Sequence, residues 1–133
     1  FLDDDMLSDT NRANLMVASY LGGCAIASSY VGVVHPFSAG LSVVLGIHHG
    51  VANCISLAAL GEFYGPAKEE LLTMAQAQDV DIPQGVCANL SDDQYDQLYG
   101  ATIIHEKPLT NALGREYRKI LTRDRVCEIF STM

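Results

Sequence analysis

Residues 28–54, SSYVGVVHPFSAGLSVVLGIHHGVANC, are the stretch that most constrains what this chain can fold into. The stretch contains His35, His48 and His49, three of the chain's four histidines, and it has no Asp, Glu, Lys or Arg. Imidazoles in an apolar, glycine-punctuated segment are either core side chains with satisfied hydrogen bonds or groups that bind metals and transfer protons. The first role is the commoner one for any single histidine, so the rest of the chain has to decide.

Composition limits the classes of partner. The 133 residues are 49% hydrophobic and 18% charged, which suits one domain with a buried core. The net charge of -8 argues against nucleic-acid or anionic-membrane partners, because both require a basic face. The absence of Trp and the few aromatic residues also argue against base stacking.

The four cysteines form no CxxC pair, which excludes a zinc ribbon and makes a disulfide scaffold improbable. We expect buried, reduced thiols. No signal peptide is recognisable, and we expect a cytoplasmic protein. The uncharged run of residues 13–61 is interrupted by glycines and polar side chains, so it predicts a buried helical core and not a membrane span.

Helical spacing and capping residues predict an all-α fold, a compact bundle of roughly six helices. Ser8 or Asp9 caps the first helix, Gly46 ends the second, Ser91 and Gln94 form a capping box, and Thr122 caps the last. The predicted helices cover residues 10–28, 36–45, 49–63, 66–78, 92–104 and 123–130, with a short helical turn at 109–114.

His35 and His49 are the one pair of histidines whose spacing allows a shared site. On one unbroken helix they would lie about 21 Å apart along the axis. A break at Gly46 lets the chain turn back, so both imidazoles can meet near the starts of consecutive helices. Two ligands do not complete a metal site, and a structural role for both residues stays open. His48 must point elsewhere, and we expect His105 to contact a helix end or Glu106.

No GxSxG or GxGxxG motif occurs, so the residues indicate neither a catalytic nucleophile nor a nucleotide-binding loop in this chain. The acidic segment of residues 1–7 starts without Met and places Phe1 and Leu2 where nothing precedes them. We expect that the chain begins inside a larger protein.

The chain resembles the C-terminal helical domain of the iron-containing (group III) alcohol dehydrogenases, a dehydroquinate synthase-like helical domain. The resemblance rests on His35, the element HGVANC at residues 49–54, and the preceding segment SDTNRANLMVASYLGGCAIASSY. Within the family, HPFSAGLSVVLGIHHGVANC, ATIIHEKPLTNALG and ILTRDRV are most similar to the branch of 3-deoxy-manno-octulosonate 8-oxidase-like enzymes.

The resemblance implies a site with one Asp and three His ligands for a divalent metal, iron or zinc, in which His35 and His49 match the third and fourth ligands. The other two ligands, and the N-terminal α/β domain that binds NAD(P), lie outside this sequence. The chain would therefore be the metal-binding part of a larger two-domain enzyme that oxidises a small alcohol, by analogy a sugar acid or polyol. Alone it should be inactive, bind metal weakly or not at all, and self-associate through exposed apolar surface.

The sequence departs from the family pattern in one place. Many members have a further His four residues after the first matched one, often followed by Pro, and here that position is Ala39 while the His-Pro pair is His35-Pro36. An alternative register makes His35 the non-ligand histidine. A different class of protein also stays open, a non-catalytic oligomerisation or regulatory domain with structural histidines.

Overall fold

A computed structural model describes Asp5 and residues 7–133, and all regular secondary structure within them is helical. This confirms the predicted all-α class. The segments outside the described residues include Phe1 and Leu2, on which the expectation about the start of the chain rests. The described helices are α1 (Asp9–Ser28), α2 (Val34–Leu45), α3 (His49–Ala59), α4 (Gly61–Ala77), α5 (Asp92–Ile103), α6 (Glu106–Leu113), α7 (Tyr117–Ile120) and α8 (Arg123–Ser131).

The predicted caps explain most helix ends. The Ser8 side chain accepts a hydrogen bond from the Asn11 N–H, and Ser91 and Gln94 form the full capping box. Thr122 accepts from the Arg125 N–H. Gly46 ends α2 in the left-handed region at φ 70°, a conformation that glycine adopts without a steric penalty.

The boundary between α3 and α4 differs from the prediction. We expected one helix through residue 63 and a break at Gly65-Pro66, but α3 ends at Ala59 because buried Leu60 leaves helical geometry. The chain then continues directly into α4, which kinks at Tyr64 just before Pro66. Tyr64 separates two helical segments within this span, so Pro66 lies in the first turn of the second segment, as predicted.

The chain divides into two compact units, Phe1–Val31 and Gly32–Met133. In the first unit α1 is exposed along nearly its whole length, and Asn11 is its buried residue. Met16 is 74% exposed and Tyr20 is 71% exposed. The expectation that residues 13–61 form one buried core is therefore not met by α1, whose apolar side chains are exposed. No described helix is both long and apolar enough to cross a membrane.

In the second unit α2 packs against α3, α5 and α6. A Cβ added at Gly40 would lie 3.0 Å from Thr102 Oγ1 and 3.3 Å from Phe130 Cζ, so glycine permits the close approach of α2 to α5. The Phe37 and Phe130 rings meet at 5.0 Å between centroids. The buried apolar core comprises Val33, Phe37, Leu41, Ala52, Ile55, Leu60, Cys87, Leu98, Ile103, Leu109, Tyr117, Leu121, Val126, Ile129, Phe130 and Met133.

The cysteines follow the predicted pattern only in part. All four are free thiols. Cys87 is buried, and this burial raises its pKa to about 11. Cys24, in contrast, is exposed on α1, so the expectation of buried thiols fails there.

Gly40→Ala should destabilise the chain by about 1 kcal/mol, because overpacking a core costs about 1–3 kcal/mol and the gain in helix propensity is about 1 kcal/mol. Urea unfolding measures the change. Gly100→Ala is the matched control on α5, since a Cβ there meets nothing within 4 Å, and it should stabilise by about 0.5–1 kcal/mol. Equal effects of the two substitutions would contradict the packing at Gly40.

Candidate metal centre

His35 and His49 are brought together by the turn between α2 and α3. His35 lies in the first turn of α2, and His49 is the first residue of α3. Gly46 closes α2 with its N–H donating to the Ser42 carbonyl, and the chain reverses over Ile47. The two imidazole centroids are 5.1 Å apart, and the ring planes are inclined at 81°. The predicted meeting of these side chains across a break at Gly46 is thus present.

The start of α2 is fixed by α4. The Val33 N–H donates a 2.9 Å hydrogen bond to the Tyr64 hydroxyl. A Cβ at Gly32 would collide with that hydroxyl, so a glycine is needed for the approach. The kink of α4 at Tyr64 therefore contributes to holding the turn that carries His35.

His48 has a structural role that its neighbour lacks. It is the N-cap of α3, and its Nδ1 accepts a 3.3 Å hydrogen bond from the Gly50 N–H. Capping satisfies one of the free donors at the start of a helix. The pair His48-His49 therefore combines a cap with a residue of the candidate site.

His105 was expected to contact a helix end or Glu106, and its ring contacts His35 in the first turn of α2. Its ring centroid lies 5.7 Å from that of His35, with the planes inclined at 77°. Glu106, the other contact that we considered for it, pairs instead with Arg118 at 3.1 Å. No pattern in the sequence indicated this contact, because His105 lies at the junction of α5 and α6, distant along the chain from His35.

Burial lowers the pKa of His35, and the nearby His49 and His105 lower it further when they are charged. The side chain is half-buried, whereas His49 is exposed. A lowered pKa keeps the His35 imidazole neutral at physiological pH, and neutral imidazole is the form that coordinates metals.

The donor set fits half of a metal site. Two imidazoles that share a tetrahedral ion through bonds of about 2.0–2.1 Å have centroids roughly 5 Å apart, and the His35–His49 separation agrees with this. Among the described residues, however, no group of three or more His, Cys, Asp or Glu side chains is arranged to hold a metal ion. Two nitrogen donors are thus what this part of the chain offers.

This fold and site define a class of protein: an all-helical domain in which two imidazoles meet across the turn between two consecutive helices. Comparison with family models makes the assignment specific. Residues 4–98 match the C-terminal model of the Fe-containing alcohol dehydrogenase family, and the chain belongs to that family.

Curated relatives agree at the level of the family. The chain is 35% identical over 71 residues to methanol:N,N-dimethyl-4-nitrosoaniline oxidoreductase from Mycobacterium sp. (strain DSM 3803 / JC1), covering 53% of this chain and 17% of the relative. The proteins of the same name from Rhodococcus erythropolis and Amycolatopsis methanolica are 35% and 33% identical over 71 and 73 residues, covering 53% and 54% of this chain. In each case the match spans 17% of the relative's length. The 3-deoxy-manno-octulosonate 8-oxidase-like branch stays a prediction.

Tyr64→Phe should lower the free energy of unfolding by about 1–3 kcal/mol, the typical effect of leaving a buried donor without a partner. The donor is the N–H of Val33, a residue that is 1% exposed. Tyr99→Phe is the control, because the Tyr99 hydroxyl makes no hydrogen bond to any described residue. Urea titrations in which both variants lose the same stability would refute the anchoring role of Tyr64.

Acidification should destabilise the metal-free chain. Because the folded-state pKa of His35 is lowered, the unfolded chain binds more protons below about pH 6.5, and stability falls as the pH drops through that window towards the folded-state pKa. Urea midpoints measured in EDTA between pH 7.5 and 5 should show this slope, and His35→Gln should flatten it. An unchanged slope in the variant would show that other groups cause the loss.

Proposed function

We propose that this chain is the C-terminal metal-binding part of a two-domain, metal-dependent alcohol dehydrogenase. The observation that carries the proposal is the His35–His49 pair, whose ring centroids are 5.1 Å apart in a member of the Fe-containing alcohol dehydrogenase family. In the parent enzyme, both histidines supply neutral nitrogen ligands to one divalent ion. The half-buried position of His35 favours that neutral form.

The chemistry of the parent follows from this ligand role. When bound, iron or zinc supplies Lewis-acid polarisation of the alcohol oxygen, and NAD(P) supplies the hydride acceptor. His35 and His49 hold one side of that site, and the turn at Gly46 sets the separation of their rings. The Tyr64 hydroxyl holds the N-terminus of α2 and with it the backbone around His35.

The remaining parts of the site belong to the rest of the parent. Structural and catalytic metal sites use three or four protein ligands, so the two imidazoles need the Asp and the further His that the family resemblance implies. The match covers 17% of the relative's length, and this supports a parent with an additional nucleotide-binding domain. The exposed apolar side chains of α1 also support a larger parent that covers them.

The substrate proposal is a small alcohol. The relatives are named for methanol, whereas the branch resemblance favours a sugar acid or polyol. The net charge of -8 gives this chain no general attraction for anionic substrates. A sugar acid would therefore need other hydrogen-bond donors in the parent's site, because His35 and His49 are assigned to the metal.

A second candidate is a non-catalytic helical domain in which the histidines are structural. The observation that favours it is the absence of a third metal donor among the described residues. Edge-to-face ring contacts at 5.1 and 5.7 Å also stabilise packing without any ion.

Metal analysis of the full-length protein that contains this chain separates the two candidates. His35→Ala and His49→Ala should each weaken metal binding by more than the roughly 10–100-fold typical of outer-shell partners, because each removes a ligand. NAD(P)-dependent alcohol oxidation should fall in parallel, and the 133-residue chain alone should show none. Metal content is measured by elemental analysis and affinity by chelator competition.

His48→Ala is the matched control, because His48 caps α3 and is not part of the ring pair. It should retain metal and lose only a little stability. Full metal content in both ligand variants would refute the ligand assignment and favour the structural candidate. Alcohol oxidation by the isolated chain would refute the proposal that it is only one part of the site.

A further inference from the structure

His35 is the middle ring of a three-imidazole cluster. His49 contacts it at 5.1 Å and 81°, and His105 contacts it at 5.7 Å and 77°. Both neighbours are therefore close to perpendicular to the His35 ring. The family match ends at residue 98, so it assigns no role to His105.

The backbone that carries His105 is well fixed. The His105 N–H donates to the Thr102 carbonyl at 3.3 Å, and the His105 carbonyl accepts from the Leu109 N–H at 3.2 Å. Thr102 and Leu109 are fully buried, so both bonds tie the junction of α5 and α6 to the core. The ring thus extends from a rigid support towards His35.

The position of His105 does not make it a third ligand. Its ring packs against that of His35, and the described residues contain no group of three donors arranged for a metal ion. An aromatic ring packed edge to face nevertheless restricts the rotation of its partner, and such pairs contribute about 0.5–1.5 kcal/mol.

We propose that His105 is a positioning residue that holds the imidazole of His35 in one orientation for metal binding. This inference rests on the proposed function, in which His35 is a ligand. A half-buried histidine with an unconstrained ring loses rotamer freedom when it coordinates an ion. His105 reduces that loss because it restrains the ring beforehand through the edge-to-face contact.

The test is the binding of cobalt(II) and zinc(II) to the metal-free full-length protein. Calorimetry measures the affinity, and the visible absorption of cobalt reports the geometry of the site. His105→Ala should weaken binding by roughly 2–10-fold, the loss expected from removing a ring contact of this kind, and alter the cobalt spectrum. His105→Phe keeps an aromatic edge beside His35 and should retain most of the affinity of the unsubstituted protein. Ile104→Ala is the matched control, since Ile104 is the adjacent residue and is 72% exposed.

Affinity of His105→Ala equal to that of Ile104→Ala would overturn the proposal. A result in which His105→Gln restores binding and His105→Phe does not would also overturn it, because a nitrogen or oxygen donor and not the ring would then be responsible. Thermal unfolding of the metal-free variants checks that each is folded. His35→Ala and His49→Ala are measured alongside, and if they bind metal as the unsubstituted protein does, the proposed function itself fails.

Discussion

The packing of α2 against α5 at Gly40 is the contact on which the second unit depends. A side chain there would press on Thr102 and Phe130, so the two helices approach as closely as they do because position 40 has no Cβ. The same helix buries Phe37 and Leu41 in the core. Because His35 lies in the first turn of α2, the core contact also determines where that imidazole is placed.

The geometry of the site follows from this placement in two steps. The left-handed residue Gly46 ends α2 and allows α3 to begin at His49, within 5.1 Å of His35 between ring centroids. The α5 helix, held by the Gly40 contact, then leads through buried Ile103 to His105. The Gly40 contact therefore sets the relation of α2 to α5, and the turn at Gly46 then brings His49 to His35, so that rings from three separate parts of the chain meet.

The sequence predicted those features that depend on neighbouring residues. The Ser91–Gln94 capping box and the glycine stop at position 46 are local, since side chain and backbone within one turn decide them. The predicted end of α3 at residue 63 was wrong, because Leu60 leaves helical geometry at a point where its side chain is buried, and tertiary packing of this kind is not visible in a local pattern. The exposure of α1 was missed for a related reason, since small and apolar residues indicate a packed face but do not identify what covers it.

The candidate site also combines features that neighbouring residues decide with features that only tertiary packing decides. The spacing of His35 and His49 around Gly46 predicted that their rings meet, and the resemblance supplied the ligand role that spacing could not. His105 follows an exposed isoleucine, and periodicity has no bearing on a contact between the junction of two helices and the start of a third. A ring that restrains another ring need only be aromatic and correctly placed, so it requires no motif that could be read from the sequence. Residues of this kind become visible only when the fold brings them to the ligand they support.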